Sequence, residues 1–188
     1  MTQDAKRSFP RLMLAPLLAL ALVGCSSSGE AVIPQAVAMT EDAVGYYCQM
    51  YVLDHGGPKA QIHLKGLEQP LWFSQVSAAV DYLHDKERDR DIVAVYVSDM
   101  ADAVSWGEPG ESNWINADTG FFVLGSRQMG GMGTPEAVSF AARADAEAFR
   151  EEYGGSVVVF ADIPEGYGAA ETVASGAFPV AEEGGHGG

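Results

Sequence analysis

Residues 71–84 have the sequence LWFSQVSAAVDYLH, in which a short apolar run is followed without a loop by a helical pattern. The helical part carries an apolar stripe at the spacing of one helix face, formed by Val76, Ala79, Val80 and Leu83. Ser74 is the expected N-cap, because its hydroxyl can accept a hydrogen bond from a free N–H of the first turn. The stretch therefore predicts a strand that leads directly into a helix ending near His84.

A later stretch of the chain repeats this pattern. When Phe73 is aligned with Phe140, Tyr82 falls on Phe149, and each pair keeps its aromatic type and its place on the helix. The second helix is predicted over residues 143–153, because two glycines follow it and glycine commonly ends helices. The recurrence indicates two structurally similar units.

Short apolar or β-branched runs flank both helices and predict strands. They occupy residues 47–52, 60–64, 71–73, 92–97, 114–116, 121–124, 137–140 and 157–160. Turn-forming residues predict that the first two of these strands form a hairpin, and that the fifth and sixth form another. The predicted fold is α+β, with two similar small ββαβ-type units packed together over residues 44–100 and 112–162.

The other segments are predicted to lie outside these units. Residues 1–24 combine a basic start with an apolar run, as in a secretory signal peptide, and LVGC at 22–25 is typical of a lipoprotein processing site. Cys25 is therefore expected to carry lipid, and Ser26 favours the outer membrane over the inner one, since it replaces an aspartate often linked to inner-membrane retention. The layout is completed by a flexible linker behind the lipidated cysteine over 25–43, a connector over 101–111 and a Gly/Ala/Glu-rich tail over 163–188.

The chain is strongly acidic. Its formal charge is −15, and removal of residues 1–24, which carry Lys6, Arg7 and Arg11 against Asp4, leaves −17. A field of this sign opposes non-specific binding to nucleic acid. It suits solubility, a basic partner or the accumulation of cations, and it does not distinguish among them. The composition, 47% hydrophobic and 20% charged, is that of a folded globular protein.

Cys48 is the one thiol that remains if Cys25 carries lipid. It lies in the segment YYCQMY, residues 46–51. Successive side chains alternate in an extended strand, so Cys48 and Met50 are expected to project from the same face. Thiolate and thioether are soft donors that together select Cu(I) over harder ions. The pattern predicts a Cu(I) site, with the alternative that an isolated cysteine is simply a small buried hydrophobe.

Two further methionines, Met129 and Met132, lie in the glycine-rich run SRQMGGMGTPE, residues 126–136. Glycines leave the backbone there free to adopt irregular conformations, so both thioethers are expected to be accessible and able to reach the thiol of the first unit. His55, in a turn, and His63, on the polar side of a strand, are candidate auxiliary ligands. The alternatives are an ordinary surface histidine in each case, and core packing or a mobile surface side chain for the methionines.

Several motifs spread over residues 44–162 occur together in one known family. They are Cys-X-Met at 48–50, Trp-Phe-Ser at 72–74, Gly-Met-Gly at 131–133 followed by Phe140, and Gly-Gly-Ser-Val-Val-Val-Phe at 154–160. With the lipoprotein signal, these motifs resemble the NosL family, the accessory lipoproteins of nitrous oxide reductase. The resemblance implies copper ligands at Cys48, Met50 and Met132. Gln49 stands where the family usually has glycine, and Met129 is an additional methionine near the loop.

Membership of this family implies a Cu(I)-binding metallochaperone on the periplasmic side of the membrane and no enzymatic activity. It implies delivery of copper to nitrous oxide reductase, with the membrane ABC transporter complex of its assembly machinery as a partner. The implied fold is distantly similar to organomercurial lyase. Two alternatives stay open from the residues themselves: a cysteine-dependent enzyme with Cys48 as nucleophile and His55 or His63 as base, and a structural lipoprotein.

Overall fold

Two small antiparallel sheets, each packed with one helix, make up the fold in a computed structural model that describes residues 33–87 and 91–168. The first sheet contains β1 (Ala60–Leu64), β2 (Leu71–Phe73), β3 (Ile92–Ser98) and β4 (Trp114–Asn116), in the order β2-β1-β3-β4, and packs with α1 (Val76–His84). The second contains β5 (Phe121–Leu124), β6 (Val138–Phe140) and β7 (Ser156–Val159), in the order β6-β5-β7, and packs with α2 (Arg143–Tyr153). The predicted α+β class is confirmed.

The predicted strand over 47–52 is not formed, and the first predicted hairpin is therefore wrong. A turn and the short 3-10 helix Val52–Asp54 take its place. The Gly45 N–H donates to Met50 O at 2.9 Å, and the Gln49 N–H donates to Gly45 O at 2.9 Å. Because these backbone groups are satisfied within the turn, they do not enter a strand ladder, and β1 pairs with β2 and β3 instead.

The second predicted hairpin, between 114–116 and 121–124, is also wrong, because these strands belong to different sheets. β4 pairs with β3, whereas β5 lies between β6 and β7. Between β4 and β5, Ala117–Thr119 forms a 3-10 helix, and the Asn116 side chain accepts a hydrogen bond from the Asp118 N–H. This helical turn carries the chain from one sheet to the other. The strand predicted to start the second unit thus completes the first sheet.

Helix α1 begins differently from the prediction. Its N-cap is Gln75 rather than Ser74, and the Gln75 side chain makes no capping hydrogen bond. The buried carboxylate of Glu136 accepts a hydrogen bond from the Ser77 N–H at 3.0 Å instead. The cap is supplied by a residue next to β6, which a local sequence pattern does not reveal.

Both sheets contribute to one apolar core. Ile62, Phe73 and Val76, from the first sheet and α1, pack in the same cluster as Phe122 and Leu124 of β5. All five side chains are almost completely buried. The two predicted units are therefore packed together through a shared core.

The predicted flexible linker over 25–43 is packed against the body in its described part. Met39 is buried in a small cluster with Val52. The Val37 N–H donates to the Gln61 side chain at 2.8 Å, and the Val37 carbonyl accepts from the same side chain at 3.0 Å. The folded body thus begins before residue 44.

The predicted tail over 163–188 also contributes to the core at its start. Tyr167 is fully buried, and its hydroxyl accepts a hydrogen bond from the Gly125 N–H at 2.5 Å. The predicted signal peptide, 1–24, and the predicted lipid site, Cys25, lie outside the described residues. Within the described part of the chain, no helix has the length and apolarity needed to cross a bilayer.

Candidate metal site

Cys48 lies at the end of the tight turn that follows Gly45, and its side chain is half-buried. Its Sγ is 3.3 Å from the hydroxyl oxygen of Ser74, the residue that joins β2 to α1. A Cβ built on Gly45 would lie 2.5 Å from this Sγ, so only glycine leaves room for the thiol in its observed position. The turn therefore holds the sulfur against the strand–helix junction.

Gln49 adopts a backbone conformation that favours glycine. Its φ is 56°, and such left-handed conformations cost a non-glycine residue on the order of 1–2 kcal/mol. Its side chain offsets part of this cost by donating to the carbonyl of Tyr46 at 2.7 Å and to that of Gly45 at 3.3 Å. The geometry explains why a glycine suits the middle of the Cys-X-Met motif and how this chain accommodates glutamine there.

Met50 does not share a strand face with Cys48, because the segment is a turn. Cys48 lines an open cleft with Phe73, Ser74 and other residues, among them Met132. Met50 lines a neighbouring cleft instead, and its side chain is 42% exposed. The structure thus brings the predicted ligands Cys48 and Met132 to one cleft and places Met50 in another.

Met132 reaches the Cys48 cleft because the glycine-rich loop is tightly folded. The loop is closed by a bridge between Met129 and Pro135, and the Gly133 N–H donates to Gly130 O at 2.8 Å. A Cβ on Gly131 would lie 2.6 Å from the Gly56 carbonyl oxygen, so the loop packs backbone to backbone on the turn near Cys48.

The two methionines of the loop differ in what they face. Met132 is 41% exposed and lines the Cys48 cleft. Met129 is 45% exposed and is not among the lining residues of either cleft. Exposure alone would not separate them, whereas their positions do.

The two candidate auxiliary histidines also lie in different surroundings. His55 lines the Met50 cleft, and its Nε2 is buried with no hydrogen-bond partner in the described part of the chain. His63 is almost fully buried, its Nε2 is 2.9 Å from Gln61 Oε1, and burial lowers its pKa. His55 has a free nitrogen beside a methionine, while the His63 ring nitrogen is engaged away from both clefts.

Exposed aromatic side chains border the Cys48 cleft and were not singled out by sequence reasoning. Tyr46 and Tyr47 are 44% and 51% exposed, and both rings pack edge-on or tilted against Phe73 and Tyr82. Burial and the nearby carboxylate of Asp85 raise the pKa of Tyr47, which stays neutral at physiological pH. The cleft thus has an apolar wall, and water is partly excluded from the sulfur.

Two buried side chains of opposite charge, Lys59 and Glu136, lie near the site and were likewise missed. The ammonium of Lys59 is fully buried and donates to the carbonyls of His55, Gly56 and Ser74 at 2.6, 3.2 and 3.2 Å. Burial lowers the pKa of Lys59 to about 8 and raises that of Glu136 to about 7, while attraction between the two opposes both shifts. A lysine in a turn and a glutamate before a strand give no sequence signal of burial.

Comparison with known proteins places these residues in a family. The NosL family model matches residues 36–167, which include every described residue of both clefts. The chain belongs to the NosL family. Its resemblance to that family in the sequence motifs is thereby confirmed.

Two curated NosL relatives cover most of the chain. The copper-binding lipoprotein NosL of Achromobacter cycloclastes is 44% identical over 155 residues, 82% of this chain and 79% of the relative. The protein of the same name from Stutzerimonas stutzeri is 31% identical over 157 residues, 81% of this chain and 79% of the relative. Neither is named as an enzyme, in agreement with the prediction that this chain is not one.

A solved structure supports the NosL fold. The crystal structure of the copper chaperone NosL from Shewanella denitrificans superposes with a TM-score of 0.64 at 36% identity. The match covers 69% of this chain and 95% of that one.

The contact of the Cys48 thiol argues against the enzyme alternative. The thiol lies next to the Ser74 hydroxyl and not next to a histidine that could act as base.

Proposed function

We propose that the chain is a Cu(I)-binding metallochaperone in which Cys48 binds as a thiolate and Met50 and Met132 as thioethers. The observation that carries the proposal is the single open cleft lined by both Cys48 and Met132, which are far apart in the sequence. Met50 is two residues from Cys48 and 42% exposed, and the turn would have to rearrange to bring its thioether from the neighbouring cleft to the same ion. Among the auxiliary donors, His55 lines the Met50 cleft, whereas Met129 lines neither cleft.

The donor set determines the cargo. Thiolate and thioether sulfur favour Cu(I), whereas zinc sites are built from four Cys, His or carboxylate ligands. Among the described residues there is no group of three or more His, Cys, Asp and Glu side chains that could hold an ion. Copper bound by a few sulfur atoms at the surface is open to an incoming ligand, as transfer to a partner requires.

Transfer would take place at a membrane. We infer that lipid on Cys25 anchors the chain on the periplasmic side, with the outer membrane favoured over the inner one. The recipients would be nitrous oxide reductase and the ABC transporter complex of its copper-site assembly machinery. The relatives named copper-binding lipoproteins support the anchor and the metal, and the sequence motifs support the recipient.

Selectivity for Cu(I) over Zn(II) tests the metal assignment. Anaerobic titration of the chain from residue 26 onward should saturate at one Cu(I), and competition should show Cu(I) retained far more tightly than Zn(II), because soft sulfur donors dominate the site. A chelator competition series measures both affinities. Equal or tighter retention of zinc would contradict the proposal, and no retention of either metal would favour a structural lipoprotein.

The two loop methionines should respond differently to replacement by leucine, which keeps the volume and removes the sulfur. Met132→Leu should weaken Cu(I) binding by about tenfold to a thousandfold, roughly 1.4 to 4 kcal/mol, because one of three soft ligands is lost. Met129→Leu is the matched control, since Met129 is equally exposed but lines neither cleft. An unchanged affinity for Met132→Leu, or a larger loss for Met129→Leu, would show that the ligand is misassigned.

A further inference from the structure

Gln75 connects the two segments that carry the sulfur atoms of the Cys48 cleft. Its side chain is 2% exposed and lies between the start of α1 and the glycine-rich loop. Its Oε1 accepts a hydrogen bond from the Met132 N–H at 3.2 Å, and its Nε2 donates to Thr134 Oγ1 at 3.0 Å. Both ends of one buried amide are therefore engaged by the loop that presents Met132.

The residue before Gln75 contacts the Cys48 sulfur. Ser74 Oγ lies 3.3 Å from Cys48 Sγ. Two consecutive residues at the junction of β2 and α1 thus contact the Cys48 turn and the Met132 loop. Because these two residues are adjacent in the chain, they link the positions of the two segments.

Gln75 is available for this contact because it does not cap its own helix. The Glu136 carboxylate accepts from the Ser77 N–H in the first turn of α1, which leaves the glutamine amide free to face the loop. The loop is shaped to receive that amide. A Cβ on Gly130 would overlap the observed position of the Gln75 amide, so glycine lets the loop pass directly over it.

We propose that Gln75 is a positioning residue for copper binding, which orients the Met132 thioether toward Cys48 by holding the Met132 N–H. This inference rests on the proposed function, since it presumes that Met132 is a ligand. Met132 is partly exposed and its side chain has three rotatable bonds, so an untethered loop would spread the thioether over many positions. Holding the loop in the apo protein reduces the ordering cost of binding.

The test is a double-mutant cycle of Gln75→Ala with Met132→Leu in the full-length protein, with Cu(I) affinity read by chelator competition. Gln75→Ala alone should weaken Cu(I) binding by about threefold to tenfold, the range expected for ordering one flexible side chain. In the Met132→Leu background the same change should alter affinity by less than about twofold, because no thioether is left to orient. X-ray absorption should also show fewer sulfur neighbours around copper in Gln75→Ala.

Gln61→Ala is the matched control, because Gln61 is an equally buried glutamine whose amide pairs with Val37 and lines neither cleft. It should leave Cu(I) affinity unchanged whatever its effect on stability. If Gln75→Ala does not fold, Thr134→Val removes the other partner of the amide and should give a smaller loss in the same direction.

The outcomes separate this inference from the ligand assignment. If Met132→Leu weakens binding while Gln75→Ala does not, or if Gln75→Ala costs as much in the Met132→Leu background, the positioning role is overturned and the ligand stands. If Met132→Leu itself leaves affinity unchanged, the ligand assignment fails and the positioning role fails with it.

Discussion

Cys48→Ser should abolish high-affinity Cu(I) binding. A serine hydroxyl is not ionised at neutral pH and is a hard donor, so the ion would lose its one anionic sulfur and keep only thioethers. We expect a loss of more than about a thousandfold, about 4 kcal/mol or greater, measured by chelator competition under anaerobic conditions. The fold should tolerate the change, because the side chain is half-buried and its neighbour is the polar Ser74 hydroxyl.

Cys25→Ser is the matched control for this experiment. It removes the other cysteine of the chain and should change membrane attachment while leaving the copper affinity of the folded body unaltered. If the Cys48→Ser protein bound Cu(I) with the affinity of the parent, the site would have to lie elsewhere. A loss shared by both variants would indicate that the two cysteines act together.

The strand–helix segments were predictable because their signals are local. The apolar stripe of α1 and the runs at Ala60–Leu64 and Leu71–Phe73 follow the periods of helix and strand, and the structure has these elements at the predicted places. The same reasoning did not predict the turn around Cys48. Its apolar and aromatic residues favour a strand, but Gln49 takes a left-handed conformation and the backbone closes on itself.

Strand pairing was less predictable than strand position. Residues 114–116 and 121–124 are strands as expected, yet the 3-10 helix between them sends the chain to another sheet. A turn sequence such as Asp118-Thr119-Gly120 suits a hairpin and a short helical turn equally well. Which one forms depends on the partners available to each strand, and these are not local.

The cleft itself could be predicted only in part. The soft donors and the glycine-rich loop are visible in the sequence, and the structure brings Cys48 and Met132 together as expected. The supporting residues are not visible, because Lys59, Gln75 and Glu136 have polar side chains that sequence reasoning assigns to the surface. Their burial depends on contacts between segments far apart in the chain.

Replacement of the buried Lys59 should destabilise the fold next to the site. Lys59→Met removes the donor to three carbonyls and leaves Glu136 without its countercharge. Leaving these carbonyls without their donor typically costs about 1–3 kcal/mol, and we expect a loss of free energy of unfolding in that range at pH 7, where the Lys59 ammonium is mostly charged. Lys65→Met is the control, since Lys65 is exposed with a surface partner, and it should cost less than about 0.5 kcal/mol.

The pH dependence of the free energy of unfolding should reveal the buried carboxyl group of Glu136. The pKa of Glu136 is raised from 4.5 to about 7 in the fold, so the unfolded chain releases this proton first. The free energy of unfolding should therefore fall as pH rises from 4.5 to 7, by on the order of 3 kcal/mol from this group. Glu136→Gln keeps an acceptor for the Ser77 N–H and should remove that fall.

Lys59→Met should extend the fall in stability to higher pH. Without the ammonium, the pKa of Glu136 rises further, so the carboxyl keeps its proton in the fold beyond pH 7. The loss of free energy of unfolding caused by Lys59→Met therefore grows between pH 6 and pH 8. Urea unfolding at pH 5, 6, 7 and 8 for the parent, Lys59→Met and the double variant with Glu136→Gln measures this difference. If the loss of free energy of unfolding caused by Lys59→Met did not change with pH, the two side chains would not be coupled. The same conclusion would follow if this loss had the same pH dependence in the double variant. We expect the loss of free energy of unfolding to grow with pH in Lys59→Met and to stop growing when Glu136 is also replaced. Lost packing alone cannot produce this difference.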